Sequence, residues 1–356
     1  MKRTPLYEIH KTLNAKFMEF GGYEMPLQYT GIIEEHLAVR KKAGIFDVSH
    51  MGEIFISGKD ALSFCEWLTP NHVARLSAGQ AQYSFLLNAQ GGVIDDLIIY
   101  RLSSDSFMFC VNASNTDKDY NWILSNRKGN IVIDNKSEDI GLISVQGPLS
   151  GIIMQSIFRD IQEIKRFTFK TDTFKGRQIY LSRTGYTGED GYECFVDNAV
   201  VVDLWNAVME SGRLHGIKPI GLGARDTLRA EMGYPLYGME LNDTTTPLSA
   251  DLGWVIKMDK GAFIGSDALK VVAEKGVGKR LTGIIMNGRS IPRHQNPVLW
   301  KDKIIGEVTT GTYSPSLSRG IAMAYIDDDA EVSEVGVDIR SILHTGTVVQ
   351  LPFIKK

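Results

Sequence analysis

The sequence predicts an α+β fold that ends in a small β-barrel or jelly roll. Three observations carry this reading. Helix-signalled segments alternate with strand-like runs through residues 1–278 of the 356. Between Gln80 and Asn112, three strand-like runs are separated by short turn-forming stretches, the pattern of an antiparallel meander. From Arg280 onward the helix signals vanish, and short runs alternate with Gly, Pro, Asn and Ser turns.

Taken in order, the first element is a helix from Thr30 to Gly44. Thr30 is its expected cap, Glu34 and Glu35 stand in the first turn, Arg40 to Lys42 in the last, and Gly44 just beyond. Ile33, Leu37 and Val39 would face a core. The meander follows, with turns at Asn88-Ala89-Gln90-Gly91-Gly92 and Ser103-Ser104-Asp105. Further strands are expected at Ile140–Val145, Arg177–Thr184, Gly191–Val196 and Gly253–Lys257, and helices near Val200–Gly212 and Leu222–Met232. Lys270 to Lys279, with Gly276 and Gly278 among Lys and Glu, reads as the boundary between a first region, 1–278, and a second, 279–356. In the second, Leu281–Met286, Lys303–Thr310 and Thr347–Leu351 are the strand-like runs.

Composition removes several function classes. With 39 basic and 42 acidic side chains, the net charge of -3 gives no global attraction to nucleic acid. No stretch approaches the ~20 apolar residues of a membrane span, and the polar start lacks a signal-type core, so the expected location is the cytoplasm. Cys65, Cys110 and Cys194 sit singly in apolar runs, as small buried thiols would. The histidines lack metal-ligand spacing, and no nucleophile elbow or phosphate-binding loop occurs. Gly221-Leu222-Gly223 opens like a dinucleotide fingerprint, but Asp226 stands at the third glycine position.

The meander makes a sharper statement. Strand alternation sends Asp95 and Asp96 to opposite faces, so one pocket cannot use both. A first turn centred between Ala89 and Gln90 would set Tyr83 across from Asp96. A second centred on Ser104 would set Asn112 across from Asp96 on its other side. A carboxylate flanked by a phenol and an amide is a candidate chemical centre.

Six segments in order resemble the glycine cleavage T-protein family: Arg3 to Tyr7, Gly22 to Pro26, Phe46-Asp47-Val48-Ser49-His50-Met51-Gly52, Gly91 to Asp96, Arg183-Thr184-Gly185-Tyr186-Thr187-Gly188-Glu189-Asp190-Gly191-Tyr192-Glu193, and Gly221 to Asp226. The resemblance covers almost the whole chain. It implies a folate-binding part of two interlocked, mainly antiparallel α+β subdomains plus a C-terminal β-barrel, around a central channel. It also implies transfer of a one-carbon unit from a lipoylated H-protein to tetrahydrofolate, with no metal, and puts the catalytic carboxylate on Asp96.

The resemblance carries the family's folate-contacting Arg onto Arg225 and favours Glu193 as a folate contact; by their placement, Tyr186 and, just after the helix, Tyr234 are candidates for the same pocket. A strand carboxylate such as Glu193 can accept two parallel hydrogen bonds from the amidine-like edge of a pterin. Tyr186, bracketed by Gly185 and Gly188, can stack on a flat ring. Arg225 shares a helix face with Arg229, and the two together would wall a polar site. Met51 reads as core, and His50 as a structural histidine with satisfied hydrogen bonds. The family's C-terminal Arg has no counterpart in Leu351 to Lys356, which leaves the folate's glutamate tail without an assigned contact. Two other readings stay open: a non-catalytic folate-binding relative, whose Lys-Gly-Cys-x-x-Gly-Gln-Glu stretch this chain lacks, and a folate-dependent demethylase.

Overall fold

The structure is a computed structural model and describes residues 1–330 and 332–355; Lys356, the last residue of the expected barrel region, lies outside the described residues. A two-stranded hairpin, β1 (Lys16–Phe20) and β2 (Tyr23–Gln28), opens the chain after helix α1 (Tyr7–Thr12). A five-stranded sheet follows in the order β5 (Gln80–Leu87), β6 (Val93–Arg101), β7 (Ser106–Val111), β4 (Gly52–Ser57), β8 (Val132–Asn135). A six-stranded sheet runs β10 (Phe169–Phe174), β11 (Arg177–Ser182), β12 (Gly191–Asp197), β9 (Ile140–Gln146), β3 (Gly44–Asp47), β13 (Lys218–Pro219). Its pairs are antiparallel except for β13 on β3. The C-terminal strands close a barrel in the order β14 (Lys279–Met286), β17 (Arg319–Asp327), β16 (Lys303–Ser314), β15 (Pro297–Trp300), β18 (Glu334–Ile339), β19 (Ile342–Val349). The α+β class with a terminal barrel is as the sequence predicts.

Among the described residues the further α-helices are α2 (Ile32–Lys41), α3 (Ala61–Leu68), α4 (Thr116–Ser125), α5 (Ser150–Gln155), α6 (Asn198–Gly212), α7 (Leu222–Glu231) and α8 (Ser266–Lys275). The α6 sequence shows why it forms. Asp197 caps it by accepting a hydrogen bond from the Ala199 N–H at 2.8 Å, and Val200, Val201, Leu204, Trp205 and Val208 form the buried stripe. That stripe packs on the six-stranded sheet, where a Cβ on Gly141 of β9 would lie 2.7 Å from Val201.

The chain groups into two compact units. The first comprises Met1–Leu68, His72–Ser84 and Leu97–Arg225; the second comprises Thr69–Asn71, Phe85–Asp96 and Asp226–Lys356. The division passes through the sequences of β5, β6 and α7.

Several local expectations are corrected. Gly253–Lys257 is not a strand: Gly253–Val255 is a 3₁₀ turn, with only Val255 buried and Trp254 largely exposed, a one-sided burial that a three-residue turn provides. Within Lys270–Lys279, expected only as a boundary, the structure has the end of α8 up to Lys275 and the first residue of β14 at Lys279, which leaves that expectation standing. Thr30 does not cap α2. The N-cap is Gly31, and the Glu35 carboxylate reaches back to the amides of residues 29–31 instead. The turn between β5 and β6 closes on the Asn88 N–H to Gly92 C=O bond, with Gly91 at φ 81°, the signature of a glycine bulge. It therefore centres on Gln90, facing pairs shift by one residue, and the register argument that set Tyr83 opposite Asp96 does not hold. The second turn is centred as expected, since Ile98 pairs with Cys110 and Ile99 with Phe109.

Candidate active site

The seven residues singled out for catalysis or folate binding, Tyr83, Asp96, Asn112, Tyr186, Glu193, Arg225 and Tyr234, are each half-buried. Tyr83 stands in β5 and Asn112 just after β7, both in the first unit. Asp96 lies in β6 and Tyr234 just after α7, both in the second. Glu193, Tyr186 and Arg225 form one group within the first unit.

Glu193 is held at the centre of the six-stranded sheet, facing Ser182 of β11 on one side and Ser144 of β9 on the other. Its Oε2 accepts a hydrogen bond from the Thr184 hydroxyl at 2.5 Å. That hydroxyl lies 2.9 Å from Ser182 Oγ and 3.3 Å from the Tyr100 hydroxyl. A hydroxyl has one proton, so while Thr184 donates to the carboxylate, Ser182 and Tyr100 must supply theirs to Thr184. Burial raises the Glu193 pKa above the ordinary 4.5; the Thr184 hydrogen bond, the nearby Arg225 charge and Ser144 each oppose the rise. The same environment pushes the Tyr100 phenol up, first by burial and then by the Glu193 charge. The site is thus a carboxylate with bonds to neutral hydroxyls and a guanidinium nearby, able to take further N–H donors.

The Tyr186 loop owes its shape to Gln146. The Gln146 amide nitrogen donates to Thr184 C=O at 3.1 Å and to Ser144 Oγ at 3.0 Å, and its oxygen accepts from Thr187 Oγ1 at 3.0 Å. A Cβ on Gly185 would lie 2.1 Å from that amide, and one on Gly191 2.3 Å from it. Both glycines are therefore required by close approach, which the sequence motif could have signalled and which was missed. Arg183 forks onto both Asp190 oxygens at 2.8 and 2.7 Å, closing the loop's base. At its tip, the Arg225 guanidinium lies 4.8 Å from the centre of the Tyr186 ring, a cation–π contact.

Two readings change. Arg229 is no site wall: it is 2 % exposed, and its guanidinium is taken up by Asp226, Glu240, Thr310 and the Tyr234 C=O. His50 is buried, but its Nδ1 has no hydrogen-bond partner among the described residues, so its bonds are not all satisfied. Its ring packs edge-on against Phe20. Burial and then the Arg225 charge push its pKa down to about 4, and Asp47 opposes them. His50 is accordingly neutral at physiological pH and adds no cation to the Arg225 region. Met51 is half-buried, and Cys65, Cys110 and Cys194 are buried thiols.

Comparison with known proteins identifies the family. Residues 6–260 match the GCVT N-terminal domain family, and residues 279–355 match the glycine cleavage T-protein C-terminal barrel domain. An aminomethyltransferase of Halothermothrix orenii is 46% identical over 357 residues, spanning 99% of this chain and 100% of its own. One from Caldanaerobacter subterraneus is 45% identical, spanning 100% of this chain and 96% of its own. A crystal structure of glycine cleavage system aminomethyltransferase T from Bartonella henselae superposes with a TM-score of 0.94 at 32% identity, covering 99% of this chain and 98% of that one. Matched along its whole length in both sequence and fold, the chain belongs to the glycine cleavage T-protein family of aminomethyltransferases.

Proposed function

We propose that this enzyme transfers the one-carbon unit of an aminomethyl-dihydrolipoyl H-protein to tetrahydrofolate, yielding 5,10-methylenetetrahydrofolate, ammonia and dihydrolipoyl H-protein. The observation that carries the folate half is the Glu193 carboxylate between Ser182, Ser144 and Thr184, with Arg225 stacked on Tyr186 nearby. A carboxylate of this kind pairs with the two parallel N–H donors of a pterin edge, and the aromatic–cation pair offers a flat ring a face. Asp96 is assigned as the catalytic carboxylate, with Tyr83, Asn112 and Tyr234 as further folate contacts. As a folate amine attacks the aminomethyl carbon and ammonia leaves, a carboxylate can take a proton and stabilise the positive charge that develops. Residues 1–278 would form the folate-binding part and 279–356 the barrel, and the enzyme would work beside its lipoyl partner in the cytoplasm.

Ammonia and methylenetetrahydrofolate should form in equal amounts from aminomethyl-loaded H-protein. Turnover with small methylated amines instead would favour a demethylase, and folate binding without either product a non-catalytic role.

Glu193→Ala removes a charge-assisted pair worth ~1.5–3 kcal/mol, so calorimetry should find tetrahydrofolate bound about tenfold or more weakly. The N–H donors prefer the ionised carboxylate, and its pKa lies above 4.5. Wild-type affinity should therefore fall as the pH drops through that raised value, and the Ala variant should lose this dependence. An unchanged affinity in the variant would take Glu193 out of the site.

Docking of the H-protein is assigned to a local basic patch on the barrel, where Arg289, Arg293 and Arg319 are all exposed. Family H-proteins are expected to be acidic, and such encounters weaken with salt. The apparent Michaelis constant for H-protein should rise from low to several hundred millimolar salt; a flat profile would dismiss electrostatic docking.

A further inference from the structure

Helix α2 holds two of the segments on which the site depends. Glu35 is fully buried in its first turn. Its Oε1 accepts from the N–H groups of Tyr29, Thr30 and Gly31 at 2.6, 2.9 and 3.1 Å, and its Oε2 from the Gly221 N–H at 2.8 Å. The first three donors lie in the turn leading into α2 and the fourth in the residue just before α7, so one carboxylate ties together the chain entering two helices. No slack remains at the second end. A Cβ on Gly221 would lie 2.3 Å from the Leu27 C=O, and one on Gly223 2.7 Å from Ile32. Arg225 stands one turn further along α7.

At the other end of α2, Arg40 is nearly buried and donates to the Thr187 C=O at 2.6 Å and to Glu189 Oε1 at 3.0 Å. These acceptors come one and three residues after Tyr186. The two members of the Arg225–Tyr186 stack, remote in sequence, are thus each tied to the same ten-residue helix.

We infer that Glu35 and Arg40 are positioning residues that set the Arg225–Tyr186 pair for capture of the folate ring, an inference resting on the reading of that pair as folate contacts. Charge-assisted bonds of this number fix direction as well as distance. In Glu35→Gln the amide can still accept from residues 29–31, but its NH₂ then meets the Gly221 N–H, donor against donor. The start of α7 must shift, and Arg225 with it. Arg40→Gln releases Thr187 and Glu189, whereas Arg40→Lys keeps one cationic donor.

The test uses the full chain and compares Glu35→Gln, Arg40→Gln, Arg40→Lys and Arg225→Ala. Tetrahydrofolate affinity is measured by calorimetry, kcat and KM with loaded H-protein, and folding by thermal melting. Arg225→Ala should weaken folate about tenfold or more. Glu35→Gln and Arg40→Gln should each raise the folate Kd and KM roughly three- to thirtyfold, with kcat at saturating folate little changed. Arg40→Lys should recover part of the loss. Added to Arg225→Ala, Glu35→Gln should cost little more, because the group it positions is gone, whereas Arg40→Gln should still weaken binding through Tyr186. Lower melting temperatures with unchanged folate affinity in the Gln variants, while Arg225→Ala is impaired, would overturn the positioning role alone. Unchanged affinity in Arg225→Ala would instead overturn the underlying reading of the site. If Glu35→Gln fails to fold, the Arg40 pair decides the matter.

Discussion

Asp96→Asn is expected to lower turnover by roughly 10²- to 10⁴-fold, the range typical of acid–base groups, while the melting temperature stays close to wild type. Asparagine preserves the size of the side chain and much of its hydrogen bonding but removes both charge and basicity. Asp95 serves as the internal control. It is fully buried where Asp96 is half-buried, as strand alternation requires, so Asp95→Asn should show mainly in the melting curve and cost far less turnover. Ammonia release from aminomethyl-loaded H-protein, measured beside thermal melting, separates the two. Inactivity in Asp95→Asn with near-normal activity in Asp96→Asn would overturn the catalytic assignment.

The largest stability effect is expected at Glu240, which is fully buried in the second unit. Its carboxylate accepts from Thr309 and Thr310 hydroxyls, both at 2.6 Å, from Arg229 at 2.9 Å and from the Leu236 N–H at 3.0 Å. Glu240→Ala leaves the Arg229 cation buried without its fully enclosed partner and removes the acceptor of the Thr310 hydroxyl, while Thr309 can turn to the Met323 C=O; the loss should cost ~3–5 kcal/mol. Chemical denaturation should show this as a lower midpoint. A loss below about 1 kcal/mol would mean that Arg229 finds compensation, with Asp226 the nearest candidate.

Much of the fold was legible because it depends on short-range pattern. The helices at Val200–Gly212 and Leu222–Met232 and the turn on Ser104 are written within a few residues of sequence, and the structure has them. What the sequence did not disclose depends on remote partners. Thr30 looked like a cap because nothing local reveals that Glu35 turns back and also binds Gly221, 186 positions away. Arg229 looked like a site residue because helical spacing puts it beneath Arg225, whereas Thr310, 81 positions on, claims it. Asn88-Ala89-Gln90-Gly91-Gly92 was recognised as a turn, but its centre depends on Gly91 at positive φ, and a shift of half a residue there changes every facing pair. The T-protein motif pointed to Glu193 and Tyr186, while the role of Gln146, which arranges their loop, could not be read without the fold.

The loop from Arg183 to Gly191 is fastened by the Arg183–Asp190 fork, by Gln146 within it and by Arg40 from outside. A segment so tied has given up most of its conformational entropy when the chain folds, before any ligand arrives. If the loop takes up a flat ring as proposed, that capture needs no disorder-to-order step here, and its affinity is linked to the local unfolding equilibrium of the anchors. A substitution that merely loosens an anchor would shrink the competent population and weaken binding in proportion, without touching a ligand atom.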